Sequence, residues 1–117
     1  MRVTSVHLQH RPTNTPTRVR EVETLLDDLG VDDVPSTPML VGGDLNAGPG
    51  EPEPALLTAA GFVSAVDAVG PQALRDLGTD PGRRIDWVFG RGVGFRSARF
   101  LDVRESDHLP VVVRTDR

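Results

Sequence analysis

Apolar and polar positions alternate over Arg2–Gln9, with Val6 and Leu8 flanking His7, and this predicts a strand at the start of the chain. The period then changes. Val19, Val22, Leu25, Leu26 and Leu29 recur at helical spacing, while Arg18, Arg20, Glu21, Glu23, Asp27 and Asp28 take the other face. Thr15 is the expected N-cap, and Pro16 suits the first turn, where its missing N–H costs nothing. Gly30 is the expected left-handed residue past the end. Met39-Leu40-Val41 predicts a short buried strand running into Gly42-Gly43-Asp44-Leu45-Asn46. Pro54–Ala60 predicts a short helix stopped by Gly61, Val63–Gly70 fits neither period cleanly, and Pro71–Arg83 reads as loop. Further strands are expected at Arg84–Phe89, Phe95–Leu101 and Val111–Val113, the first two joined by a hairpin loop at Gly90–Gly94. This mixture of strands and helices predicts an α/β or α+β domain.

A chain of 117 residues implies one domain. With four Phe, one Trp and no Tyr, the core must rest on Val, Leu and Ala. The net charge is −4, and all 13 basic residues are arginines. That balance argues against a broad basic footprint for nucleic acid. It leaves a phosphate substrate open, because a divalent metal can supply local positive charge, and it leans towards a small phosphoester. Absence of cysteine excludes disulfides and thiolate metal sites. The N-terminal residues lack the apolar run of a signal peptide, and no stretch approaches the roughly 20 apolar residues of a membrane span. A soluble, cytoplasmic protein is the expectation.

Four segments place a chargeable side chain at or beside the end of a strand: His7, Asp44 with Asn46, Asp86, and Asp107 with His108. Hydrolysis of a phosphate ester needs an activated water, stabilised charge on the phosphoryl oxygens and a neutralised leaving oxygen. Carboxylates hold Mg²⁺ or Mn²⁺ through hard oxygens, a histidine donates a proton or carries charge, and an Asn amide donates without adding charge. Each segment also has a plainer reading. Asp44-Leu45-Asn46 could be an ordinary turn. An EF-hand is excluded, because Gly48, Pro49 and Ala55 stand where a ligand, the turn glycine and the bidentate Glu belong. Asp86, inside an apolar strand, needs a partner, and Arg83 or Arg84 could supply an ion pair. Ser106-Asp107-His108 cannot form a nucleophilic triad, since neighbours on a strand point to opposite faces.

In order, the motifs are Val6-His7-Leu8, Gly43-Asp44-Leu45-Asn46, Arg84-Ile85-Asp86-Trp87 and Ser106-Asp107-His108-Leu109-Pro110-Val111. Together they resemble the endonuclease/exonuclease/phosphatase superfamily of DNase I-like phosphoesterases, and the match runs through the whole chain. The resemblance implies half of a four-layer α-β-β-α sandwich, with residues 1–117 as the C-terminal portion of the domain. Its N-terminal half, with an Asn and a metal-binding Glu, has no counterpart here. A fragment of a longer protein, a late-starting reading frame and a second chain supplying the other half are the alternatives. It further implies hydrolysis of a phosphomono- or phosphodiester by activated water. By the same resemblance, Asp44 would orient or deprotonate the water, and Asn46 would hold the phosphoryl group. His108 would stabilise phosphorane charge with Asp86 on its other ring nitrogen, and His7 would touch the phosphate or assist the leaving group. Asp107, with Asp44, would bind Mg²⁺ or Mn²⁺, weakly for want of the Glu. An exposed sheet face would invite association with the missing half or self-association. A non-catalytic remnant or interaction module that retains these residues is the competing reading.

Overall fold

In the computed structural model, the described residues are 1–10, 12–31, 37–70, 72, 84–101, 108 and 110–116. Strand β1 (Arg2–His7) leads through a 3-10 turn at Pro12–Asn14 into helix α1 (Thr15–Leu29), then strand β2 (Met39–Asp44). Helix α2 (Pro52–Ala59), the two-residue strand β3 (Val63–Ser64) and the short helix α3 (Ala65–Val69) follow, so the ambiguous segment divides between strand and helix. The chain closes with β4 (Asp86–Arg91), β5 (Phe95–Phe100) and β6 (Val111–Thr115).

Four strands form a mixed sheet in the order β1-β2-β4-β3, and β5 pairs with β6 in a second, two-stranded sheet. The β1–β2 pair is parallel, which demands a crossover, and α1 supplies it. β2 and β4 run antiparallel. Because side chains alternate across a pleated sheet, Met39, Val41, Trp87 and Phe89 share one face. That face meets Val22 and Leu29 of α1 and Leu57 of α2 in the main core. On the other side Val88 packs against a smaller cluster built on Ala65, Val66 and Ala98. Flanking helices on a mixed sheet agree with the expected class. On the uncovered part of the second face, Val3 stands 71% exposed.

Several local expectations are corrected. Thr15 lies inside α1; Asn14 is the N-cap and makes no side-chain capping bond, while the Thr15 hydroxyl accepts from the Arg18 guanidinium at 3.0 Å. Gly30 does end the helix in the left-handed region, at φ 63°. Gly90–Gly94 is not a hairpin loop, since β4 pairs with β2 and β3 while β5 pairs with β6; the segment carries the chain from one sheet to the other. Strand β4 begins at Asp86, two residues later than expected, and runs through Gly90 to Arg91.

Arg18 and Glu53 depart furthest from the sequence pattern. Arg18 falls on the polar face of α1 and Glu53 in a proline-rich stretch, yet they are 2% and 0% exposed. The Arg18 Nε–H donates to the Glu53 carboxylate at 2.7 Å, tying α1 to α2. Burial of both charges is tolerated because each neutralises the other in the same contact.

Candidate active site

Strand register builds the site. His7 sits opposite Asp44 in the parallel β1–β2 ladder, and Asp44 sits opposite Asp86 in the antiparallel β2–β4 ladder. Residues directly opposite one another project to the same face, so one row across three strands carries an imidazole and two carboxylates. His108, just before β6, completes the group. Its Nδ1 lies 2.7 Å from the Asp86 carboxylate, and its Nε2 lies 3.8 Å from Asp44 Oδ2. His7 Nε2 approaches the same Asp44 oxygen at 3.7 Å, with its side chain 74% exposed.

The Asp44 carboxylate is held by its own turn. Its Oδ1 accepts the Asn46 backbone N–H at 2.7 Å, leaving Oδ2 directed at the two histidines. Asn46 adopts φ 49°, the left-handed conformation that Asn tolerates best among non-glycine residues. Its side-chain amide donates to the Leu8 carbonyl at 2.7 Å and so straps the turn to the end of β1. One of the amide's two N–H donors is used in this way, and the other is what Asn46 can offer a phosphoryl oxygen.

Gly43 makes the close approach of β1 and β2 possible. It sits at φ 139°, and a Cβ there would overlap the backbone carbonyl of Val6. Gly43→Ala is therefore expected to destabilise the fold by on the order of 3 kcal/mol, from backbone strain together with overpacking. Gly42→Ala is the control, since its Cβ would meet neighbours only at 3.5 Å and beyond. Urea unfolding of the two variants checks this, and equal midpoints would contradict it.

Of the sequence-based candidates, His7, Asp44, Asn46, Asp86 and His108 converge on this sheet end; Asp107 lies outside the described residues. Arg84, the alternative partner for Asp86, instead bonds Asp67 at 2.7 Å. In the sequence Trp87 stands in the Arg84-Ile85-Asp86-Trp87 motif without a role of its own; its indole N–H donates to the Ala47 carbonyl at 2.8 Å just beyond the Asp44 turn. An aromatic next to Asp86 in a buried strand carries no signal beyond core packing.

Asp44, Asp86 and His108 each offer one ligand atom, and these atoms lie within 4.8 Å of one another. In this set the two carboxylates are the hard oxygen donors that suit a divalent cation, and the imidazole is the softer member. Asp86 and one ring nitrogen of His108 already face each other, so Asp44 Oδ2 is the donor best placed for the cation. A cleft of about 330 Å³ opens here, lined by Gly43, Asp86, Trp87, Val88, His108, Pro110 and Val111. Two larger depressions, of about 550 and 610 Å³, lie against α2 and along α1, and only His7 of the cluster borders either. Chemistry rather than size locates the site, because of these three clefts the smaller one holds the facing carboxylate and imidazole.

The Endonuclease/Exonuclease/phosphatase family matches residues 2–108. A search of the curated proteins finds no match. Among solved structures, a functionally unknown conserved protein from Enterococcus faecalis superposes with a TM-score of 0.74 at 22% identity, covering 95% of this chain and 48% of that one. The human Nocturnin catalytic domain, solved with bound sulfate, gives 0.74 at 22% identity over 96% of this chain and 45% of its own. A mannosyl-6-phosphatase from Bacteroides thetaiotaomicron gives 0.68 at 18% identity over 95% and 49%. The chain thus spans about half the length of these structures, and at such identities they establish the fold alone. Among the described residues, no helix is long and apolar enough to cross a membrane. With the family matched from β1 to the His108 motif, the chain belongs to the endonuclease/exonuclease/phosphatase family.

Proposed function

We propose that this site hydrolyses a phosphomono- or phosphodiester by attack of an activated water. One observation carries the reading: His108 is held by Asp86 on one ring nitrogen at 2.7 Å while the other faces Asp44 Oδ2 at 3.8 Å. A phosphoryl group placed over this pair, with a water beside Asp44, would meet the carboxylate through the water and the imidazole directly. The named activity of the Bacteroides thetaiotaomicron neighbour, a mannosyl-6-phosphatase, supports the substrate class.

Asp44 Oδ2 orients the water and takes its proton, while Oδ1 stays locked by the Asn46 N–H. His108 carries its ring proton on Nδ1, donated to Asp86, or is doubly protonated. In the second state Nε2–H donates to the phosphoryl oxygens as charge builds on them. Asn46 contributes its remaining amide N–H, and His7, exposed at the rim, meets the leaving oxygen. A divalent cation held by Asp44 and Asp107 would supply positive charge against the phosphoryl oxygens. Residues 1–117 are assigned to the C-terminal portion of the domain, and the sheet face around Val3 to association with a complementary half or a second copy. Sedimentation of the chain measures self-association directly, and a strict monomer at high concentration would count against that part.

The test is turnover of a generic phosphodiester and a generic phosphomonoester by this chain with Mg²⁺ or Mn²⁺. Turnover that EDTA abolishes, and that His108→Ala lowers by about 10²–10⁴-fold, is expected. A folded wild-type chain with no turnover under any metal would instead favour a non-catalytic remnant.

A further inference from the structure

We propose that Trp87 is a positioning residue for the Asp44 carboxylate, acting through the carbonyl of Ala47; this rests on the phosphoesterase reading above. The turn after β2 is pinned at successive residues. The Leu8 N–H donates to the Asp44 carbonyl at 2.9 Å, and the Leu45 N–H donates to the Ile85 carbonyl at 2.9 Å. The Asn46 amide reaches the Leu8 carbonyl, and the Ala47 carbonyl accepts the Trp87 indole N–H at 2.8 Å. The first three bonds hold the start and middle of the turn, and the fourth holds its far end. Ala47 and Trp87 are both buried, so water is a poor substitute for the indole donor.

The indole itself is clamped. On one side the Arg84 guanidinium lies 4.2 Å from the ring centroid; Phe89 stacks at 5.3 Å with 15° between planes. Arg84 is held in turn by the Asp67 carboxylate at 2.7 Å and the Ser64 hydroxyl at 3.3 Å, both at the start of α3. A line of direct contacts therefore runs from α3 through Arg84 and Trp87 to the turn that aims Asp44. Trp87 also neighbours Asp86 in sequence, so β4 sets the His108 partner and the Asp44 turn together. The simpler alternative is that the bond merely satisfies a buried indole N–H.

Trp87→Phe separates the two, because it keeps an aromatic ring and removes the donor. The positioning role predicts that kcat falls about tenfold with KM within about twofold, as expected for loss of one buried hydrogen bond. It also predicts that amide hydrogen exchange at Leu45 and Asn46 quickens about tenfold while β5 and β6 hold their protection. Val22→Ala, a core truncation in α1 that leaves the donor and its stack in place, should lower thermal stability yet keep kcat and those two amides within about twofold. If Trp87→Phe folds poorly, benzothienylalanine at position 87 keeps the ring volume without the N–H and gives the same readout. Unchanged exchange at Leu45 and Asn46, or unchanged kcat in a wild type that turns over, overturns the proposal. Quickened exchange in Trp87→Phe, together with a folded wild-type chain that shows no turnover, overturns the phosphoesterase reading and leaves the hold on the turn standing.

Discussion

Asp44→Asn is expected to lower kcat for phosphoester hydrolysis by about 10²–10⁴-fold with little change in stability. The change is nearly isosteric. The amide oxygen can still accept the Asn46 N–H, as Asp44 Oδ1 does at 2.7 Å, so the turn keeps its shape. What is lost is the charge on the oxygen facing His7 at 3.7 Å and His108 at 3.8 Å. A neutral amide neither takes a proton from water nor balances two imidazoles. Steady-state kinetics with circular dichroism as a folding control make the measurement. Turnover within a few-fold of wild type would remove Asp44 from the water-activating role.

The second large effect concerns stability. Arg18→Met leaves the Glu53 carboxylate, 0% exposed, without its guanidinium partner. Breaking a buried pair from one side costs about 3–5 kcal/mol, a large share of the roughly 5–15 kcal/mol that holds a typical domain together. Among the described residues, Glu53 Oε1 has no hydrogen-bond partner even in the wild type, so the site has little reserve. Arg18→Met combined with Glu53→Leu removes both charges and should recover most of the loss, because an apolar replacement of a whole buried pair is often neutral. Chemical denaturation of the two single variants and the double variant checks this. Additive losses would mean that the pair is not coupled.

Much of this was legible in the sequence where local chemistry dictates structure. Gly30 ends α1 because a left-handed residue follows the last helical turn, and the spacing of Val22, Leu25 and Leu29 finds the buried face of α1. His7, Asp44 and Asp86 were legible as strand-end polar residues, since a charge beside an apolar run needs a reason. Their alignment was not. Only the register, His7 opposite Asp44 opposite Asp86, shows that three separate motifs meet in one row, and register is a tertiary property.

Arg18 and Glu53 misled for the same reason. Each lies in a polar pattern that reads as solvent-facing, and their burial depends on where α2 packs against α1, 35 residues away in sequence. The segment after Gly90 resembled a hairpin because glycines cluster there, but β5 finds its partner in β6 and leaves β4 to β2 and β3. Trp87 shows the limit from the site's side. Its identity suggests core, and the 2.8 Å bond to Ala47 is what connects it to the Asp44 turn.

The most direct test of the central claim is hydrolysis of a phosphodiester and a phosphomonoester by this chain in ¹⁸O-labelled water with Mg²⁺ or Mn²⁺. Attack by a water activated at Asp44 predicts one ¹⁸O atom in the phosphate-containing product, none in the released alcohol, and no product when EDTA is present. Label in the alcohol, turnover indifferent to EDTA, or no hydrolysis by a folded chain would contradict the account.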